Sequence, residues 1–219
     1  MKHAFLDGDV SRDALASWYR EARARTQQLF ELFVDDAYYE RPIPLRNPLV
    51  FYEGHLPAFS VNTLLKLAQK KPGIDETLEV LFARGIDPED EAAVPGASSP
   101  WPSRDEVRAY GAAADEAILQ AIATGPLLSD EVPALRRGEA VFTIIEHELM
   151  HQETLLYMIH ALPSGMKVRR APLLQVTRPP RRVDDDRATA RVPAGTATLG
   201  ADRDTHFGWD NEFTRHRVD

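Results

Sequence analysis

Glu146-His147-Glu148-Leu149-Met150-His151 lies inside a run from about Gly138 to Ala161, and the reading of this run decides the fold. Val141, Ile144, Ile145, Leu149, Leu155, Leu156 and Ile159 recur at helical spacing and form a broad apolar stripe, the pattern of a helix buried along one side. Residues four apart on a helix differ by about 40° in direction and about 6 Å in height. His147 and His151 therefore project from one face, shared with Thr154 and Met158, and can grip one ion between them. A pair of core-edge histidines without metal is the plain alternative, and the H-E-x-x-H spacing favours metal over it. Glu148 falls within the apolar stripe, where a carboxylate is costly unless paired, protonated or hydrogen bonded. Three roles stay open for it: a general base beside the metal, an acceptor that fixes a histidine ring, or a partner in a surface salt bridge.

A metal needs a third ligand, and the candidate is His55, set among Phe51, Leu56 and Phe59. Alone, such a histidine is more often a core residue; the pair on the other helix makes it a ligand candidate, since facing helices of a bundle can converge on one interior point. His160 points away from the His147 face, and His3, His206 and His216 lie in terminal segments. Three neutral imidazoles with no carboxylate or thiolate leave an ion its +2 charge and open positions for thiolate, dioxygen or water. Iron(II) and zinc both suit such a site, and spacing does not separate them.

Outward from these motifs the chain reads as helix after helix. Leu15, Trp18, Tyr19, Leu29, Leu32 and Phe33 recur at three and four behind a Ser11 cap, predicting a first helix to about Ala37. Asn47-Pro48 reads as cap and first residue of a helix to about Gln69, kinked near His55 by Gly54 and Pro57. Asp75 to Arg84 suggests a short helix, and Asp87 to Pro102 a surface loop. Ser103-Arg104-Asp105-Glu106 is a capping box opening a helix to about Ala123. Four long helices without intervening strands predict an all-α bundle. After Pro163 come Lys167, Arg169, Arg170, Arg178, Arg181, Arg182, Arg187 and Arg191, interleaved with prolines and Asp184 to Asp186; this reads as a linker rather than an anion-binding patch. From Val192 weak alternation suggests a strand and turn opening a β-rich unit.

The bulk numbers bound the function. A net charge of -8 argues against nucleic acid as a partner, which needs a concentrated basic surface. With no cysteine there is no disulfide, thiolate nucleophile or iron-sulfur cluster, so any sulfur chemistry happens on a substrate. No stretch reaches the roughly 18 apolar residues of a membrane span, and the start lacks a signal-like run, so the expected location is cytoplasmic. Oligomeric state is not legible.

Three segments together resemble the ergothioneine-type sulfoxide synthases: Asn-Pro-Leu-Val-Phe-Tyr-Glu-Gly-His-Leu-Pro-Ala-Phe (47 to 59), Glu-His-Glu-Leu-Met-His-Gln-Glu-Thr-Leu-Leu-Tyr-Met (146 to 158), and the pair 192 to 200 and 207 to 218. The resemblance implies a DinB-like four-helix metal-binding domain over residues 1–165, a linker over 166–191, and at 192–219 the incomplete beginning of a formylglycine-generating-enzyme-like domain. It implies Fe(2+) held by His55, His147 and His151. It also implies oxygen-dependent joining of a thiol sulfur to the imidazole of a histidine derivative as a sulfoxide. Two departures stand out. The arginine-rich loop some members use for the thiol substrate is not evident, residues 84 to 91 reading Arg-Gly-Ile-Asp-Pro-Glu-Asp-Glu, and Arg84 and Arg104 read as solvated surface arginines. The family's catalytic tyrosine and most of its substrate pocket would lie beyond Asp219, so no catalytic residue is assigned. The rival readings are a non-catalytic DinB-like metal-binding module or fragment, and a zinc peptidase with Glu148 as base.

Overall fold

The structure is a computed structural model and describes residues 11–83, 101–168, 192–203 and 207–219. The acidic loop from Asp87 to Pro100, the arginine-rich stretch from Arg169 to Arg191, and His3, Arg84 and His206 lie outside the described residues. The chain divides into two compact units, one within Asp9–Arg170 and a smaller one that includes Ala171–Asp219.

In the larger unit, the Ser11 hydroxyl accepts from the Ala14 amide at 3.3 Å and opens α1 (Arg12–Leu29). This helix ends well before the expected Ala37. Phe30 and Phe33 keep the apolar spacing, yet beyond the Phe30 C-cap the chain turns and pairs with a later segment: the Val34 amide donates to the Met166 carbonyl at 3.0 Å and the Val168 amide to the Leu32 carbonyl at 2.8 Å. Backbone groups paired across the fold are no longer available to a helical ladder.

The helix α2 (Leu49–Ser60) starts one residue later than expected, with Pro48 as its N-cap, and continues as a π-helix over Val61–Ala68 to Gln69. It is unbroken through Gly54 and Pro57, and its irregularity comes afterwards as wider turns. A short α3 (Glu76–Leu81) follows, capped by Asp75, whose carboxylate accepts from the Leu78 amide at 3.0 Å. The capping box at Ser103 and Glu106 is formed and opens α4 (Arg104–Thr124). Then α5 (Glu139–Ala161) begins at Gly138, whose φ of +74° favours glycine.

Helix α1 packs on α4 and α5, and α2 packs on the same two, so the four long helices close a bundle with α1 and α2 at opposite corners. Leu49, Val50, Phe51 and Tyr52 are completely buried and join Phe30, Val107, Leu155 and Met158 in the core. The fold is thus all-α, followed in the smaller unit by two short strands, β1 (Ala197–Leu199) and β2 (His216–Val218). They pair antiparallel, with every strand residue exposed. Among the described residues no helix is long and apolar enough to cross a membrane.

Candidate metal centre

Helix packing brings together the three histidines that the sequence singles out. His55 on α2 and His147 and His151 on α5 are all buried. One ring nitrogen from each lies within 4.8 Å of the others, and His55 Nε2 stands 3.2 Å from His147 Nε2 across 92 residues of sequence. Aromatic neighbours fix the ring planes. Phe51 stacks on His55 at 4.9 Å, Phe59 stacks on His147 at 3.6 Å with planes 10° apart, and Tyr52 tilts against His151 at 5.7 Å.

A hydrogen bond sets the protonation pattern. His55 Nδ1 lies 2.7 Å from the Phe82 carbonyl oxygen and must donate to it, which leaves Nε2 as a bare acceptor facing the cluster. Two bare lone pairs 3.2 Å apart repel, so in the metal-free chain His147 carries its proton on Nε2 and donates to His55. The same spacing suits two ligands of one ion, because nitrogens about 2.1 Å from a metal and about 100° apart stand about 3.2 Å from each other. His151 is completely buried, and among the described residues neither of its ring nitrogens has a hydrogen-bond partner. Such a group costs about 1–3 kcal/mol, and a metal ligand bond would satisfy it. The donor set therefore fits a divalent ion.

Burial keeps these rings neutral. Desolvation, then the neighbouring His151 and His55, pull His147 down to about 2, while desolvation, His55 and Arg46 pull His151 down to about 3. Desolvation lowers His55 too, against the opposing pull of the Phe82 carbonyl. Folded values below the unfolded value of about 6.5 mean that the unfolded chain binds more protons in acid. The contribution of the cluster to the stability of the metal-free chain is expected to be constant above about 6.5 and to fall below it, by about 1.4 kcal/mol per pH unit for each of His147 and His151, with His55 acting in the same direction. Urea unfolding from pH 8 to pH 4 checks this, and a flat stability curve would contradict the buried neutral cluster.

Glu148 is 1% exposed, and its partner is neither a histidine nor solvent. Its Oε1 accepts from Arg23 Nη1 of α1 at 3.0 Å, and Arg23 Nε donates to Asp115 of α4 at 2.8 Å, where the Tyr19 hydroxyl also donates at 2.8 Å. Burial opposes the charge on Arg23, but Glu148 and Asp115 outweigh it and raise its pKa. The surface salt bridge considered for Glu148 is thus a buried ion pair joining three helices. Gln152, one turn on, donates to the Ala22 carbonyl at 3.0 Å and to Thr26 Oγ1 at 3.1 Å, a second tie between α5 and α1.

Several contributors have no signature of their own in the sequence. Phe59 was visible only as an apolar neighbour, and Phe82 and Arg23 carried no local signal because their contacts are remote in sequence. Arg104 is not the solvated arginine expected: its guanidinium lies over the rings of Tyr38 at 4.9 Å and Phe33 at 5.5 Å, and Nη2 donates to the Phe30 carbonyl at 2.7 Å. His160 is exposed and apart from the cluster, and His216 sits on β2.

These features define a four-helix bundle with a buried three-histidine cluster able to hold a metal ion. The chain belongs to the DinB superfamily, whose family model matches residues 19–155. It is 31% identical over 194 residues to ergothioneine biosynthesis protein 1 of Neurospora crassa, covering 82% of this chain and 22% of that protein. It is 28% identical over 215 residues to the protein of the same name from Schizosaccharomyces pombe, covering 83% of this chain and 27% of that one. The chain therefore spans about a quarter of the length of these curated relatives.

Proposed function

We propose that this chain is the metal-binding part of an oxygen-dependent sulfoxide synthase of ergothioneine-type biosynthesis, holding iron(II) through His55, His147 and His151. The observation that carries the reading is the buried cluster of three neutral imidazoles, in a chain similar to two ergothioneine biosynthesis proteins. Bound there, iron would supply a redox centre with open positions for a thiol and dioxygen. The protein supplies orientation: Phe51 and Phe59 hold two rings in plane, and the Phe82 carbonyl presents His55 through Nε2. In the overall reaction the thiol loses its S–H hydrogen and the imidazole its ring C–H hydrogen. A carbon–sulfur bond forms, one oxygen atom becomes the sulfoxide, and the other leaves as water with the two hydrogens.

In the same reading, residues 1–165 form the metal domain, 166–191 the linker, and 192–219 the opening of a formylglycine-generating-enzyme-like domain; the antiparallel pairing of β1 and β2 supports the last. A thiol substrate suits a reducing compartment, which supports a cytoplasmic location. The ion pair of Glu148 with Arg23 supports a structural role for that carboxylate over that of a peptidase base.

The test is mass spectrometry of iron(II)-loaded protein mixed with oxygen, a cysteine-type thiol and a histidine derivative, using this chain and a longer form completing its relatives' length. The expected product is heavier than the two substrates together by one oxygen less two hydrogens. If neither form yields it with any thiol and imidazole pair, the chain is a metal-binding module without this chemistry.

A further inference from the structure

The residue before His55 is glycine, and its neighbour explains why. A Cβ added at Gly54 would stand 2.3 Å from ring carbons of Phe82, far inside contact distance, and Phe82 is completely buried. The missing side chain lets the Phe82 ring lie flush on α2, between that helix and Trp101, on which it stacks at 6.2 Å. Phe82 is the C-cap of α3, so its carbonyl is one of those a helix end leaves without an intrahelical partner. His55 Nδ1 takes that carbonyl at 2.7 Å.

The other end of α3 is strapped down as firmly. The buried carboxylate of Glu79 accepts from the Ile74 amide at 2.6 Å, the Asp75 amide at 3.1 Å and Lys66 Nζ at 3.0 Å, Lys66 lying on the π-helical continuation of α2. A Cβ at Gly73 would fall 2.0 Å from Glu79 Oε2, so a second glycine admits this contact. Two close approaches thus fix a six-residue helix whose terminal carbonyl meets one histidine ring.

We propose that α3 is a positioning element for His55: Gly54 admits the Phe82 ring, and the Phe82 carbonyl then holds the His55 proton on Nδ1 and commits Nε2 to the histidine cluster. The purpose of this device rests on the metal centre proposed above, while the proton position is a property of the metal-free chain. Loss of such an outer partner typically weakens metal binding about 10–100-fold.

The experiment reads ¹⁵N imidazole shifts in the metal-free protein and cobalt(II) affinity by visible absorption. It compares wild type, Gly54→Ala and the double variant Gly54→Ala with Phe82→Ala. Wild type should show His55 protonated on Nδ1 and bare on Nε2. Gly54→Ala should lose that pattern and bind cobalt about 10–100-fold more weakly. The double variant removes the colliding ring but keeps the backbone carbonyl, so both the proton pattern and the affinity should return toward wild type. His55 protonated on Nε2 in wild type would overturn the proposal whether or not the variants fold, and so would weakened binding in Gly54→Ala with the proton still on Nδ1. No cobalt binding by wild type would instead overturn the metal centre, leaving the proton pattern to decide the positioning claim.

Discussion

Replacing His151 by leucine is expected to abolish iron(II) binding and at the same time to stabilise the metal-free bundle. The imidazole is completely buried and among the described residues neither nitrogen has a hydrogen-bond partner, so the metal-free fold carries a desolvated, unsatisfied polar group there. Leucine has nearly the same volume and no polar atom, and removing an unsatisfied group of this kind gains about 1–3 kcal/mol. Opposite shifts in binding and stability distinguish a functional group from a packing group, since a core histidine with a structural purpose would cost stability on removal. Thermal unfolding in chelator, beside an anaerobic iron titration, measures both. A destabilised His151→Leu variant would remove the argument that this ring is kept for a ligand.

The second large effect concerns the other face of α5. Arg23→Ala is expected to cost about 3–5 kcal/mol, because it leaves the buried carboxylate of Glu148 without its cation. Against a total stability of about 5–15 kcal/mol for a domain, that is a large share. Glu148→Gln keeps an acceptor oxygen for Arg23 and removes the buried negative charge, so it should cost less and leave metal binding intact. Denaturant midpoints for the two variants, with cobalt titrations under conditions where both are folded, check the pair. A Glu148→Gln protein that is as stable as wild type but has lost a metal-dependent hydrolytic activity would favour the peptidase alternative.

The contrast between the two faces of α5 shows what a single sequence reveals. Four-residue spacing places His147 and His151 on one face from helix geometry alone, and the stripe beside them marks a buried helix with an end near Gly138, where a left-handed glycine indeed stands. Ser103 and Glu106 announced the start of α4 because a capping box is local. His55 was legible only by association, since nothing within α2 says which remote side chain its ring will meet. Glu148 showed a conflict, a charge in an apolar stripe, but its resolution came from Arg23, 125 residues earlier. The end of α1 falls short of the expected Ala37 for the same reason: the partner of Leu32 and Val34 lies at residues 166 to 168. Phe82 and Glu79 were invisible because a backbone carbonyl and a loop-binding carboxylate have no pattern of their own. Local chemistry was readable, and chemistry made by long-range contact was not.

The most direct measurement is an anaerobic iron(II) titration of the intact chain beside the triple variant His55→Ala, His147→Ala, His151→Ala. Saturation at one ion per wild-type chain, and none in the folded triple variant, is the expected result. Equal iron uptake by both proteins, or none by the wild type, would contradict a metal centre at these three rings.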